Sequence, residues 1–188
     1  MFIQTESTPN PATMKFLPGQ VVMESGTADF ADARAAADSP LARRIFAAGD
    51  VERVFLGSDF IAVTKAGGVE WPHLRPQILG AILEHFQSGA PAILARDGSG
   101  GAQEAADPPD DDPVVSEIRR LIETRVRPAV AQDGGDITFQ GFDRGIVYLH
   151  MRGACAGCPS ATRTLKMGIE NLLRHHVPEV TEVRSVAL

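Results

Sequence analysis

Cysteine is nearly absent from this chain, with two residues in 188. Two thiols cannot make the disulfide framework of a small secreted domain. Aromatic residues are also scarce, at 6% with one Trp and one Tyr. That argues against the stacking platforms that grip single-stranded nucleic acid. Positive charge is in deficit, the formal net charge being -6, so neither nucleic acid nor an anionic membrane is an expected partner. No run approaches the ~20 apolar residues of a membrane span. The opening residues, MFIQTESTPNPATMKF, carry neither the basic start and apolar stretch of a secretory signal nor the Arg-rich pattern of a transit peptide. The expectation from this end of the chain is a cytoplasmic protein.

What is present suits two small soluble domains, with 44% apolar and 22% charged residues. Residues 97–113, DGSGGAQEAADPPDDDP, hold six acids and no base. Such a segment buries too little to offset its ordering entropy, so it reads as a disordered acidic linker. Residues 1–96 hold 8 bases and 10 acids, and residues 114–188 hold 10 bases and 8 acids. The acidity of the chain therefore belongs mostly to the linker. The expected domains are 1–96 and 114–188.

In the first domain, FIQTE and QVVMES read as strands. SPLARRIFAAG reads as a helix, with Ser39 as N-cap, Pro40 in the first turn and Gly49 past the end. VERVFLGSDFIAVTKA is an expected hairpin around residues 57–59. WPHLRPQILGAILEHFQSG is an expected helix ending at Gly89, regular only from about Pro76. His73 and His85 read as surface positions on it. The second domain opens with an amphipathic helix, its apolar face formed by Val115, Ile118, Leu121, Ile122, Val126 and Val130. DGGD breaks that helix. A hairpin follows, turning near residues 143–145, then a helix over 159–176 and a last strand. The fold class is α+β, with order αββαβ in the second domain.

Both cysteines lie in RGACAGCPSATRTLKMGIENLLRHH, as Cys155 and Cys158. Gly153 and Gly157 allow a tight loop. Pro159 suits the first helical position and makes Cys158 a plausible N-cap. A helix N-terminus facing the thiols is expected to lower their pKa and favour thiolate, the form that binds metal. Four readings stand side by side. The thiols could simply pack, since cysteine is often a buried small hydrophobe. They could be a thioredoxin-like dithiol, although too little chain follows Cys158 to complete that sheet. They could hold zinc, with His150 as a third ligand. His175 and His176 lie roughly 25 Å away along the helix and read as favourable charge at its C-terminus. Finally, two chains could each give two thiolates to one shared cluster, because iron–sulfur clusters usually take four. A bridged zinc satisfies the same count.

The segment RPAVAQDGGDITFQGFDRGIVYLHMRGACAGCPSATRTLKMGIENLLRHHVPEV resembles the C-terminal domain of the NifU family. ESTPNPATMKFLPG, SPLARRIF and VFLGSDFIAVTK resemble the N-terminal domain of Nfu-type proteins. The resemblance implies a non-enzymatic cluster carrier. It implies a [4Fe–4S] cluster shared between two subunits through Cys155 and Cys158, and hence a homodimer when loaded. It further implies transfer to apo iron–sulfur clients such as lipoyl synthase, supply by an upstream assembly scaffold, and partner recognition by the N-terminal domain. The family includes mitochondrial members with a transit peptide, so the resemblance implies for this chain a bacterial protein or a mature form.

Overall fold

The computed structural model describes residues 2–94, 112–156 and 159–186, and of residues 159–161 the backbone only. Contacts divide the chain into two compact units, Met1–Gln103 and Glu104–Leu188. The expected linker falls outside the described residues except for Asp112, which caps a helix, and Pro113, which opens it.

Among the described residues the first unit is an antiparallel five-stranded sheet with two α-helices and a 3-10 turn, Ala35–Asp38. Its strands are β1 (Gln4–Ser7), β2 (Thr13–Leu17), β3 (Ala28–Phe30), β4 (Val51–Leu56) and β5 (Ile61–Lys65), in the order β1-β2-β5-β4-β3. The β1–β2 connection is built by side chains. Asn10 Oδ1 accepts from the Ala12 N–H (3.0 Å), and the Thr8 hydroxyl donates to the Asn10 carbonyl (2.9 Å). These are the local bonds that make Asn and Thr good turn residues. Helix α1 (Pro40–Ala47) starts as expected, with Ser39 Oγ accepting from the Ala42 N–H at 3.1 Å. Helix α2 (Trp71–Ser88) ends at Gly89, whose φ of 65° is left-handed. Leu41 and Ile45 of α1 and Leu74, Ile78 and Ile82 of α2 are buried with Phe16 in one core.

Three expectations fail in this unit. Residues 20–25 form no strand. Pro18 and Gly19, the latter at φ 73°, follow β2, and the Val22 and Met23 N–H groups both reach the Ser58 carbonyl. The loop is thus held against the β4–β5 turn. Helix α2 is regular from Trp71, with Pro76 inside it. One missing N–H near the first turn is outweighed by burial of Leu74 and Ile78 on either side. His85 is fully buried, not a surface residue, and neither ring nitrogen has a hydrogen-bond partner among the described residues.

The second unit has the expected order αββαβ. Its first helical stretch is α3 (Pro113–Leu121), a π-helical turn (Ile122–Val126) and α4 (Arg127–Gln132). The π turn was not expected. Pro128 lacks an N–H and crowds the preceding turn, and the Arg127 N–H instead reaches the Ile122 carbonyl five residues back. Strands β6 (Gly135–Asp143) and β7 (Ile146–Gly153) form the hairpin, with Arg144 and Gly145 both at positive φ in its turn. Helix α5 (Pro159–His176) then crosses over, and β8 (Glu182–Val186) pairs with β7 in parallel. The sheet order is β6-β7-β8. Its core includes Ile118, Leu121, Val126, Ile137, Leu149 and Leu173. No helix among the described residues is long and apolar enough to cross a membrane.

Candidate metal centre

Cys155 follows the C-terminal end of β7, where the chain leaves the sheet for α5. Gly153 takes φ 64°, and the Ala156 N–H donates to its carbonyl at 3.0 Å. The Ala154 N–H donates to the Gly134 carbonyl at 3.1 Å, which ties the loop to the residue just before β6. From α5, the Thr162 hydroxyl donates to the Cys155 carbonyl at 2.9 Å. The loop is therefore held from both sides of the crossover.

The Cys155 thiol is 5% exposed and packs in the core cluster. Its environment contains Gly135. A Cβ built there would stand 2.5 Å from Cys155 Sγ and 2.8 Å from the Arg152 carbonyl oxygen. No side chain larger than hydrogen fits without displacing the sulfur or the backbone. The DGGD segment thus does more than stop a helix. Gly134 takes φ 80°, Gly135 makes room for the sulfur, and Asp136 anchors the strand. Asp136 is buried and accepts two bonds from Arg127, at 2.9 and 3.1 Å. Arg127 also reaches Glu123 on the π turn at 2.9 Å. The sequence reading missed Gly135, Asp136, Arg127 and Thr162 as parts of this site. Two adjacent glycines at the start of a strand were the available signal.

The thiol's acidity runs opposite to expectation. Burial pushes the Cys155 pKa up to about 12, and the nearby Asp133 and Asp136 carboxylates add to the rise. A helix terminus favours thiolate, but taking the charge out of water beside two carboxylates opposes it more strongly. The metal-free thiol is therefore neutral.

Cys158 lies outside the described residues, as does Gly157. His150 sits in β7 opposite Thr138. Among the described residues no group of three or more His, Cys, Asp or Glu side chains stands together as a metal ion needs. His175 and His176 stack edge to face at the last turn of α5, away from the loop.

Comparison with known proteins places both units. Residues 3–89 match the family described as scaffold protein Nfu/NifU N terminal, and residues 118–184 match the NifU-like domain. NifU-like protein 4, mitochondrial, of Arabidopsis thaliana is 51% identical over 97% of this chain and 65% of its own length. The human NFU1 iron-sulfur cluster scaffold homolog, mitochondrial, is 46% identical over 99% of this chain and 72% of its own. The chain thus spans about two thirds of the length of the plant relative. A NifU-like protein of Saccharomyces cerevisiae, solved by NMR, superposes with a TM-score of 0.46 at 25% identity, over 51% of this chain and 87% of that one.

These relatives overturn the expected bacterial, cytoplasmic location, because the plant and animal proteins are named mitochondrial. Location is read from a targeting segment, and the composition of a folded core does not carry it.

Proposed function

This chain belongs to the Nfu/NifU scaffold family, and from that membership we propose that it binds an iron–sulfur cluster as cargo and passes it to apo-proteins. Cys155 and Cys158 are the ligands. A cluster usually takes four thiolates and one chain has two cysteines. Two NifU-like units therefore share one [4Fe–4S] cluster, and the loaded form is a homodimer.

The observation that carries this reading is the Cys155 thiol, held against Gly135 in a loop bonded to both the hairpin and α5. Gly135 lets the sulfur lie directly against the start of β6, and Thr162 and Gly134 fix the backbone on which it sits. Binding displaces the thiol proton, so loading releases protons and is pH-dependent. The neutral thiol of the empty site is a poor nucleophile and resists oxidation. That weighs against a dithiol oxidoreductase, which needs a ready thiolate.

In the proposed sequence an upstream scaffold supplies the cluster, two chains hold it, and an apo-client docks. Client thiolates then replace Cys155 and Cys158 by ligand exchange. A cluster shared at a subunit boundary is released when the subunits part, which suits a carrier and needs no catalytic residue. Lipoyl synthase is the client to try first, and the N-terminal unit serves recognition.

The test is anaerobic reconstitution followed by gel filtration, with iron, sulfide, zinc and protein measured across the fractions. A brown dimer with about four iron and four sulfide per two chains is expected. Cys155→Ser should lose the cluster and keep its fold. A colourless, metal-free monomer, under conditions that load a control protein, would overturn the reading. Global unfolding of Cys155→Ser would point to structural zinc instead.

A further inference from the structure

A groove of about 730 Å³ runs between β1 and α2 in the first unit, lined by residues 2–6 and by Arg75, Leu79, Gly80 and Leu83. Its origin lies in how α2 sits. Leu74, Ile78 and Ile82 point into the core. The neighbouring stripe of 75, 79 and 83 is left alongside β1, the edge strand of the sheet. β1 pairs only with β2 among the described residues. Alternate backbone N–H and C=O groups on its outer side therefore have no strand partner.

Three further features make this more than a bare edge. Gly80 stands in the middle of an 18-residue helix, where glycine is destabilising by about 1 kcal/mol relative to alanine. A Cβ there would meet nothing within 4 Å. No packing within the described residues requires glycine, and its flat surface widens the groove. Arg75 has no ion-pair or hydrogen-bond partner among the described residues, although it lines the same groove. Phe2 is 79% exposed at the groove's end.

We propose that this groove docks an extended segment of a partner protein, one that adds to β1 as a sixth strand and sets an acidic residue against Arg75 and apolar side chains over Leu79, Gly80 and Leu83. Strand addition satisfies the open backbone groups, and the helix stripe supplies specificity. A second copy of this chain fits less well. The acid on β1 itself, Glu6, is already held by Lys15 at 3.7 Å, so another β1 brings Arg75 no unpaired carboxylate. The inference deepens the carrier reading, on which it rests for the kind of partner: a client that receives cargo from the second unit.

The test uses the full chain loaded with cluster, with apo-lipoyl synthase as the probe. Hydrogen exchange is mapped with and without the probe, and affinity is measured for the parent, Gly80→Trp and Arg75→Glu. Gly80→Trp fills the groove from a position that faces open space, and Arg75→Glu inverts its charge. The expected result is slowed exchange over 2–7 and 71–88, and affinity weakened by about tenfold or more in both variants. Their iron content should equal the parent's, since the ligands lie in the other unit. Slowed exchange confined to other segments, or parent-like affinity in both variants, would overturn the docking site while iron analysis still upholds the carrier. Failure of the probe to bind the parent, or dimerisation of cluster-free chain through β1, would overturn it too. Failure of the parent to load iron would instead sink the carrier reading, and is seen before any probe is added.

Discussion

A methyl group at Gly135 would lie 2.5 Å from the Cys155 sulfur. Gly135→Ala should therefore destabilise the second unit by about 1–3 kcal/mol, as overpacking does, and lower the iron it takes up; urea unfolding and iron analysis read both. The Cys155 thiol, raised from 9.0 to about 12, keeps its proton over a wider pH range folded than unfolded. Its contribution to stability is complete below pH 9.0 and is lost as pH rises through about 12. At pH 8 the folded, metal-free chain should hold far less thiolate at Cys155 than the unfolded chain. Iodoacetamide labelling, assigned to single residues by mass spectrometry, should be correspondingly slower. His85 moves the other way. Burial lowers its pKa from 6.5, with Arg44 adding to the effect. The folded chain prefers the neutral ring, so stability is full above pH 6.5 and falls as pH drops below it. His85→Leu should flatten that decline and raise stability at pH 7.5 by about 1–3 kcal/mol, because it removes two unpaired buried nitrogens. Neither effect was legible in the sequence, where a lone cysteine or histidine says nothing of the segments that will cover it.

Helix α1 was legible nearly to the residue, since its start depends on Ser39 and Pro40 alone. Ser39 Oγ caps the helix and its hydroxyl also donates to the Ala92 carbonyl at 2.6 Å. Ser39→Ala should cost about 1–2 kcal/mol; Trp71 fluorescence during urea unfolding would report it. The π turn between α3 and α4 was not legible as such. Its apolar positions fit an ordinary helix, and only Pro128 hinted at a break. The turn brings Glu123 and Arg127 to the side where Asp136 enters β6. Arg127→Met would leave the buried Asp136 carboxylate without its guanidinium. A loss of about 3–5 kcal/mol is expected, as for other broken buried pairs, with Cys155 labelling faster in the same variant. An unchanged labelling rate would detach this ion pair from the thiol loop. Strands β2 and β3 were not expected from the sequence; β3 has only three residues, too few for an alternation to stand out from loop.

At the scale of the whole chain, each unit has its own core, and the two core clusters share no residue. The single Trp, Trp71, lies in the first unit and the single Tyr, Tyr148, in the second. Two optical probes therefore follow two cores. Arg127→Met should lower the midpoint seen at Tyr148 more than that seen at Trp71, and His85→Leu should do the reverse in sign and place. Equal displacement of both probes by either substitution would show one cooperative unit instead. Cluster loading adds a further shift at Tyr148, because a ligand that binds only folded chain stabilises it by mass action.

The sequence by itself determined what acts over a few residues. Helix caps, the turn at residues 143–145, the αββαβ order and the spacing of Cys155 and Cys158 all follow from neighbouring side chains and backbone preferences. Only the tertiary structure decided what depends on distant segments meeting. It set β8 parallel to β7, put Gly135 against the Cys155 sulfur, buried His85 and left a groove beside β1. Burial and desolvation belong to the packed chain and not to any stretch of it. That is why a thiol expected to be acidic at a helix start becomes, once Gly135, Asp133 and Asp136 surround it, a neutral one.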